Sequence, residues 1–544
     1  MDRISVLPEA ILHDILARLP EKDAARTSVL SNEWRDTWYS FPILSIGDKI
    51  IIGSYSPQII SKLDILIGYV MRRLLKLREQ SLTIKVFKLD MMPEHNKYMS
   101  HHFDLWMNMV SESCVEVLEL CLLYSATYRG LPDGTEYRYD QYDLPLCVFE
   151  VRSLTKLVLK GKITLNQSFF NHSIKLFSLR TLCLRELLLE DKGIIEHLIS
   201  HCPLLEDLTV YCCLVYNRKN PFRNKQFLES LFLHGLQKLK EADIQGIQEV
   251  YIDAPNLENL RYVPFPYFGS PIKLNLDSFT RLRCLRLSNT DVTDKWLLDL
   301  SHKFPFLEHL ELCGCSMSDR INISSAQLMI LEFTNYSDVK EVNIDAPNLL
   351  SFDYCGDHRA IISFLTSSDH LVFNASPAHE FRHGYYSLRE FIQNIKPQKV
   401  LASLSLSVYH SNGIEQNCLS IQQVLSIPPS IKYLELDSSP NEALYFHYMN
   451  WLLSCCCPKT ISFFFQNDRG MKPFTVFVYE LLMGRKKQEW FDHFGDTKCW
   501  WHDLKIVKVT YSFSVDEKVD FKTTLNALLL PTDDPESVSF SLEL

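Results

Sequence analysis

The segment 307–315, with the sequence LEHLELCGC, decides the fold. Leucines stand at its first, fourth and sixth positions and a cysteine at its ninth. The segment 205–213, LEDLTVYCC, repeats this spacing with valine at the sixth position. Successive side chains of a strand point to opposite faces, so the fourth and sixth positions share one face. Each segment therefore predicts a short strand with one apolar, buried side.

Looser copies of this pattern recur at nearly constant intervals. The steps from Leu154 to Leu228 are 25, 26 and 23 residues, and those from Leu257 to Leu307 are both 25. Such a period fits one strand and one return segment, as in a leucine-rich-repeat solenoid. The other copies begin at Val115, Leu179, Leu282, Leu328, Leu349, Leu401 and Ile431. We predict an α/β fold, an irregular horseshoe with parallel strands on its concave face over 81–440, in preference to an unrelated leucine-rich all-β or α/β fold.

One stretch is duplicated almost unchanged. Residues 246–257 read GIQEVYIDAPNL, and residues 338–349 read DVKEVNIDAPNL. Proline fixes φ and aspartate bonds the following backbone, so Asp-Ala-Pro-Asn predicts a turn between two short strands. These returns are too short for a helix, whereas 192–200 and 294–303 show helical spacing.

The N-terminal region has a different periodicity. Residues 7–20 read LPEAILHDILARLP, which predicts a helix that begins near Pro8 and ends at Pro20. Asp23 is expected to cap a second helix, and the SVLSNEWRDTW stretch at 28–38 places Trp34 and Trp38 on one helical face. Forty residues cannot bury so many large apolar groups among themselves, so the segment requires a partner surface.

This segment resembles an F-box, predicted over 1–45. The resemblance implies that it docks on the Skp-type adaptor of a cullin ubiquitin ligase while the rest of the chain captures a target. The alternative is an ordinary three-helix cap whose tryptophans only fill a core. The residues that match the family pattern, and that the resemblance assigns to adaptor binding, are Leu7, Pro8, Ile11, Leu12, Ile15, Leu16, Leu19, Val29, Leu30, Trp34 and Trp38.

An F-box followed by this repeat resembles the plant F-box/leucine-rich-repeat proteins. The IDAPNL turn and the phrase YDLPLCVF at 142–149, leading into SLTKLVLKG at 153–161, are typical of that family. The segment 499–509, CWWHDLKIVKV, resembles the opening strand of the FBD domain that many members carry. We therefore expect an FBD-like continuation of the repeats over 441–544, and a linker with an amphipathic helix over 46–80.

Composition limits the function classes. The net charge of −10 and a pI near 6.0 disfavour nucleic acid or an anionic membrane as a partner. No apolar run reaches the length of a membrane span, and the N-terminus lacks a secretory pattern. The sixteen cysteines include no CxxC pair, so we expect reduced thiols. These features predict an intracellular protein of the nucleus or cytoplasm, not a secreted one.

No catalytic motif is found: phosphate-binding GxxxxGK[ST], GxGxxG, HExxH and GxSxG are all missing from the sequence. His197 and His201 stand four residues apart beside Cys202 and could seat a metal, but a fourth ligand is not evident. His493, Cys499 and His502 offer equally little. We expect neither a metal nor a cofactor.

Residues between the leucines of each strand are expected to face the concave side. Arginines and aromatics are over-represented at binding hot spots, so we interpret this face as the target-binding surface, although each member could be merely an exposed polar position. A Tyr-rich loop over 124–142 is a second candidate surface. The predicted concave set is Arg185, Tyr211, Phe232, His234, Arg261, Arg286 and Glu311.

The sequence therefore predicts a non-catalytic substrate-recognition subunit of a ubiquitin ligase. Its contribution to catalysis is proximity, which raises the effective concentration of acceptor lysines. Two alternatives stay open: a receptor that needs a small molecule in its concave pocket, and an adaptor that binds the scaffold without delivering a substrate. An enzyme in its own right is the least favoured interpretation.

Overall fold

The computed structural model divides the chain into two compact units, Met1–Leu282 (unit 1) and Arg283–Leu544 (unit 2). Each unit is described by itself. The residues that the structure describes are 7–19, 21–47, 59–91, 96–122, 141–216, 226–265, 270–271, 273–334, 339–357, 359–366, 368–376, 391–396, 401–407, 430–437, 449, 452, 457–464, 471–482, 506–512 and 537–543.

The helices of unit 1 lie mainly in its N-terminal part. They are α1 Glu9–Arg18, α2 Glu21–Thr27, α3 Asn32–Ser40, α4 Ile59–Glu79, α5 Asn96–Glu112 and α6 Ile194–Ser200. Short 3₁₀ helices span Leu146–Glu150, Gln167–Asn171 and Leu276–Ser278.

The first three helices pack around a small apolar core. Its buried members are Leu12, Leu16, Ala24, Trp34, Trp38 and Phe41. The Ser31 hydroxyl caps α3 by accepting from the Trp34 N–H at 3.2 Å. The expected cap of α2 was wrong: this helix begins at Glu21, directly after Pro20, so Asp23 lies inside it and pairs with Arg26 at 2.9 Å.

Within the described residues of unit 1, eight parallel strands form the ladder sheet, and each pairs with its neighbours without a register shift. The inward leucines and valines, such as Leu182, Leu184, Leu208 and Val210, are fully buried. The predicted alternation is therefore confirmed. The strands are β1 Ile43–Gly47, β2 Val86–Asp90, β3 Val117–Leu122, β4 Lys156–Gly161, β5 Thr181–Arg185, β6 Asp207–Tyr211, β7 Glu241–Gln245 and β8 Asn259–Val263.

The ladder sheet starts earlier than the sequence suggested. Strand β1 follows α3 after two residues and pairs with β2, with Leu44 and Ile46 buried. The expected start of the solenoid at residue 81 therefore differs from the structure, in which the C-terminal end of the three-helix segment supplies the first strand. A five-residue strand was too short to stand out beside the strong helical pattern before it.

A residue with left-handed backbone ends β4 and directly follows β5, β6 and β7: Gly161, Glu186, Cys212 and Gly246, with φ between 47° and 94°. The amides of Glu186, Cys212 and Gly246 donate to the last carbonyl of the next strand, at 2.8, 2.8 and 2.7 Å. The turns therefore extend the ladder by one further hydrogen bond. The backbone of Gly246 also lies close to Cys212 in the adjacent turn, because a Cβ on Gly246 would lie 3.1 Å from the Cα of Cys212.

We expect Gly246→Ala to destabilise unit 1 more than Gly235→Ala. Both glycines have positive φ, 82° and 72°, so both variants incur a left-handed cost of roughly 1–2 kcal/mol. Only Gly246 adds the clash with Cys212, worth roughly 1–3 kcal/mol more, since nothing lies within 4 Å of the Cβ position at Gly235. Urea unfolding of the two variants measures the difference, and equal midpoints would contradict the close approach.

The return segments of unit 1 form two further sheets. One contains Tyr142–Asp143, Ile163–Leu165, Leu188–Leu189, Leu214–Val215 and, antiparallel, Gln226–Phe227. The other, the return sheet, contains the parallel strands Ser230–Leu233, Glu249–Ile252 and Lys273–Leu274. A two-residue strand spans Ser270–Pro271.

The copy of the pattern at Leu228 was assigned to the wrong sheet. Its strand, Ser230–Leu233, pairs with Glu249–Ile252 in the return sheet, while β7 takes the ladder position beside β6. Phe232 and His234 therefore do not belong to the ladder sheet. Ladder and return strands both alternate apolar and polar residues, so periodicity alone could not separate them.

Unit 2 continues the same architecture. Its eight parallel ladder strands are β9 Cys284–Ser288, β10 His309–Cys313, β11 Ile330–Thr334, β12 Ser351–Cys355, β13 Val372–Ala375, β14 Leu401–Ser407, β15 Ser430–Asp437 and β16 Cys457–Phe464. Two antiparallel strands, β17 Ile506–Ser512 and β18 Ser537–Glu543, end this sheet. The helices are α7 Asp294–Leu298, α8 Leu300–Lys303 and α9 Met471–Leu482.

A second sheet of unit 2 contains Arg320–Ser324, Glu341–Asp345, Ile361–Thr366 and Ile395–Lys396, and a short strand spans Thr290–Asp291. Both duplicated stretches form strand, turn and strand, as expected. In each copy the first strand belongs to a return layer and the second, β8 or β12, to a ladder sheet.

Candidate functional sites

The three-helix segment keeps part of its apolar side chains out of its core. The most exposed are Val29 at 84%, Leu30 at 67% and Ile11 at 46%. Of the other residues assigned to adaptor binding, Ile15 is half-buried and Leu12, Leu16, Trp34 and Trp38 are core residues that shape the helices from inside. The exposed members form what we call the box apolar set: Leu7, Pro8, Ile11, Leu19, Val29 and Leu30.

Arg73 joins this segment to the rest of unit 1. Its side chain is buried, and its guanidinium donates to the carbonyl oxygens of Trp38 and, at 3.1 Å, of Phe41. The guanidinium carbon also lies 4.6 Å from the centre of the Trp38 ring, a cation–π contact. Arg73 thus fixes α4 to the end of α3. Sequence reasoning missed this role, because an arginine on an amphipathic helix usually lies on the solvated face.

The open face of the unit 1 ladder sheet is formed by the side chains between the buried ones. Lys160, Arg185 and Tyr211 occupy the same register position on β4, β5 and β6. The Arg185 guanidinium carbon lies 4.2 Å from the centre of the Tyr211 ring. Arg261 is exposed on β8, two strands beyond β6. The structure therefore brings Arg185 and Tyr211 together.

The other two members predicted for this face lie elsewhere. Phe232 is 41% exposed in the return sheet, in register with Tyr251, and the His234 ring lies 5.3 Å from that of Tyr251. A separate aromatic cluster results.

One carboxylate pairs with two cations at the near end of the open face. Glu119 forms ion pairs with Lys88 at 3.3 Å and Lys156 at 2.8 Å. Burial alone would raise the pKa of Glu119, but the hydrogen bond from Lys156 and the charge of Lys88 outweigh it and lower that pKa. Farther along, burial and the nearby Glu241 raise the pKa of Asp207.

The open face of the unit 2 ladder sheet is acidic and internally paired. Arg286 and Glu311, both predicted for the binding face, form an ion pair at 3.0 Å. His309 contacts Glu332 at 2.8 Å, and the Asn374 amide donates to Asp353 at 2.6 Å. Arg286 therefore carries less free positive charge than an isolated arginine.

The suspected histidine–cysteine cluster is used for packing. His201 Nδ1 lies 2.9 Å from the His197 carbonyl oxygen, and the buried Cys202 thiol contacts the Leu198 carbonyl oxygen at 3.4 Å. Burial lowers the pKa of His197. Among the residues described, no group of three or more His, Cys, Asp or Glu could hold a metal ion. His493, Cys499 and His502, and residues 124–140 of the Tyr-rich loop, lie outside the described residues.

We expect thiol reactivity to follow burial. Burial raises the pKa of Cys202 and of Cys213 to about 12, so both remain protonated at pH 8. Only the thiolate attacks an alkylating reagent, and Cys114 is exposed. Iodoacetamide followed by peptide mass spectrometry should label Cys114 in the native protein, and Cys202 and Cys213 only after unfolding. Equal labelling of all three would contradict the described packing.

A cavity of about 260 Å³ lies at the C-terminal ends of α4 and α5. Leu74, Leu77 and Met109 supply apolar wall, and the Arg78–Glu112 ion pair at 3.4 Å joins two lining residues. None of its lining residues belongs to a ladder strand, so this cavity is separate from the open face.

Three family models match successive parts of the chain. The F-box domain matches residues 4–45. The leucine-rich repeats of the FBD-associated F-box protein At5g56370 match residues 104–274, and the leucine-rich-repeat domain of At1g61320/AtMIF1 matches residues 268–410. Fold and matches together define the class: an N-terminal F-box followed by leucine-rich repeats.

The relatives come from Arabidopsis thaliana. The FBD-associated F-box protein At4g13985 is 30% identical over 48% of this chain and 52% of its own length, and the F-box/FBD/LRR-repeat protein At1g51370 is 26% identical over 51% and 55%. The putative F-box/FBD/LRR-repeat protein At4g00315 is 25% identical over 64% and 81%. The chain spans about half the length of the first two.

The chain is similar to plant F-box/FBD/LRR-repeat proteins, both in its N-terminal F-box match and in the repeats that follow. Within the part that the structure describes, no helix is both long and apolar enough to cross a membrane.

Proposed function

We propose that this protein is the substrate-recognition subunit of a Skp/cullin/F-box ubiquitin ligase. The observation that carries the proposal is the box apolar set: six apolar residues that a folded three-helix core holds outward. Burying a large aliphatic side chain at an interface gains about 1.5–3 kcal/mol, so a fold has little reason to leave several of them in water unless a partner covers them.

In this proposal the Skp-type adaptor covers the box apolar set. Apolar anchors dominate such interfaces, and the buried Trp34 and Trp38 contribute by fixing the backbone that presents Val29 and Leu30. The F-box match at 4–45 supports this assignment.

The ladder sheets serve in this proposal as the target-binding part. Their open faces carry charged and aromatic side chains on a rigid parallel scaffold, which suits recognition of a protein segment. Ubiquitin transfer would be accelerated because the scaffold keeps acceptor lysines near the loaded enzyme. In this proposal no residue of this chain takes part in the chemical step of ubiquitin transfer.

The test is purification of the tagged full chain from plant cells under proteasome inhibition. We expect co-purification of a Skp-type adaptor and a cullin, together with ubiquitin-modified proteins that accumulate with the inhibitor. A folded full chain that recovers no adaptor would contradict the proposal. Recovery of adaptor and cullin with no inhibitor-dependent protein would instead indicate the non-degradative adaptor.

A further inference from the structure

Two cations on the open face of unit 1 have no carboxylate partner within the described part of the chain. Lys160 and Arg185 stand side by side in register on β4 and β5, and both are half-buried. Among the residues described, no acceptor forms a hydrogen bond or ion pair with the Arg185 guanidinium or the Lys160 ammonium. Lys88 and Lys156, on the same face, both contact Glu119. The positive charge at Lys160 and Arg185 is therefore available to a ligand.

Tyr211 prepares Arg185 for binding. The aromatic ring lies against the guanidinium at 4.2 Å, which restricts its rotamers while leaving the N–H groups at its edge free of the ring. A guanidinium held in this way loses less entropy when it binds, and its planar fork matches two oxygens of a single anion.

The side chains that directly flank the pair on the open face are neutral thiols. Cys121 and Cys183 flank Lys160 and Arg185 on the same face, and burial raises the pKa of both thiols, so they stay neutral near pH 7. The carboxylates near the pair on the open face are Glu119, on the adjacent strand β3, and Asp207 and Asp243, on β6 and β7. Glu119 is paired with Lys88 and Lys156, and among the described residues none of the three forms an ion pair with Lys160 or Arg185.

We propose that Lys160 and Arg185, with Tyr211 as the support of the guanidinium, bind the phosphate of a phosphorylated side chain in the target protein. A phosphate carries close to two negative charges and three free oxygens, so the arginine fork and the neighbouring ammonium can be used together. A single carboxylate would saturate the fork and leave Lys160 unpaired. The inference rests on the proposed role of the ladder sheet in target capture.

The experiment uses the purified full chain and synthetic peptide arrays. Each array has random flanking residues and phosphoserine, serine or glutamate at one fixed central position. We expect the wild-type protein to retain phosphoserine peptides above both other arrays. Arg185→Gln and Lys160→Gln should each weaken that binding about tenfold or more, the loss expected for one charged hydrogen-bonded contact.

Lys88→Gln is the matched control, because it removes one positive charge from the same face at a residue that is already paired with Glu119. Its binding should equal that of the wild type, and circular dichroism should show all variants folded. Equal retention of the three arrays, stronger binding to glutamate, no binding at all, or an equal loss in Lys88→Gln would overturn the phosphate assignment.

Adaptor binding is measured on the same samples and separates the two proposals. Arg185→Gln and Lys160→Gln should retain the Skp-type adaptor in full, since neither residue belongs to the box apolar set. Phosphopeptide binding by a chain that captures no adaptor would support the phosphate site and contradict the ligase role. The reverse result would contradict only the phosphate site.

Discussion

The double variant Ile11→Asp/Leu30→Asp is expected to abolish capture of the Skp-type adaptor. Both side chains are exposed, 46% and 67%, and both lie in the F-box. A charge at each position must be desolvated on binding, and loss of two apolar anchors at about 2 kcal/mol each weakens binding about a thousandfold. Pull-down or calorimetry with purified adaptor measures the effect.

Ile65→Asp is the matched control for this variant. Ile65 is an aliphatic residue of α4 with 64% exposure, but it lies outside the F-box. It should leave adaptor affinity unchanged, and thermal stability should change by about half a kcal/mol or less in every variant, because the sites are exposed. Full adaptor binding by the folded Ile11→Asp/Leu30→Asp protein would refute the assigned surface.

Leu310→Ala in β10 is expected to cost about 2–5 kcal/mol of unfolding free energy in unit 2. Leu310 is fully buried and pairs in register with Leu285 of β9, so its truncation leaves a cavity in the leucine ladder. Urea-induced unfolding, followed by circular dichroism, should show the lower midpoint.

Glu311 follows Leu310 on β10 and lies on the opposite, open face of the sheet. Glu311→Gln therefore provides the comparison for Leu310→Ala. It removes the ion pair with Arg286, a contact with partial solvent exposure that is worth about 1 kcal/mol or less. If Glu311→Gln were the more destabilising of the two variants, the strand register would be wrong by one residue, because a one-residue slip exchanges the two faces.

Much of this architecture could be predicted from the spacing of the apolar residues. Leu208 and Val210 are buried on one face of β6, and this constraint appears in the sequence as alternation of apolar and polar residues. The duplicated IDAPNL turns were equally readable, since aspartate, proline and asparagine each restrict the backbone locally.

The assignment of each strand to the ladder sheet or the return sheet could not be predicted, because it depends on which strands pair. Strand β7 lacks leucine within its span, and the leucine-rich strand Ser230–Leu233 before it looks like a better ladder member. Only pairing with β6 and β8 distinguishes it. For the same reason Phe232 and His234 were placed on the wrong sheet. Arg185 and Tyr211 lie in register on β5 and β6, and their part in target binding stays a prediction. Whether a cation of the open face is paired also depends on cross-strand neighbours, such as Glu119, that are distant in sequence.

The guanidinium of Arg73 binds the carbonyl oxygens at the end of α3, and β1 pairs with β2. These contacts have a consequence for the proposed ligase role. The segment that would grip the adaptor and the sheet that would hold the target share one frame, without a separate hinge domain between them in the residues described. A captured target would then be presented at a set distance and angle. An acceptor lysine would then be selected by its distance from the bound segment of the target. The sequence around that lysine would matter less than its position.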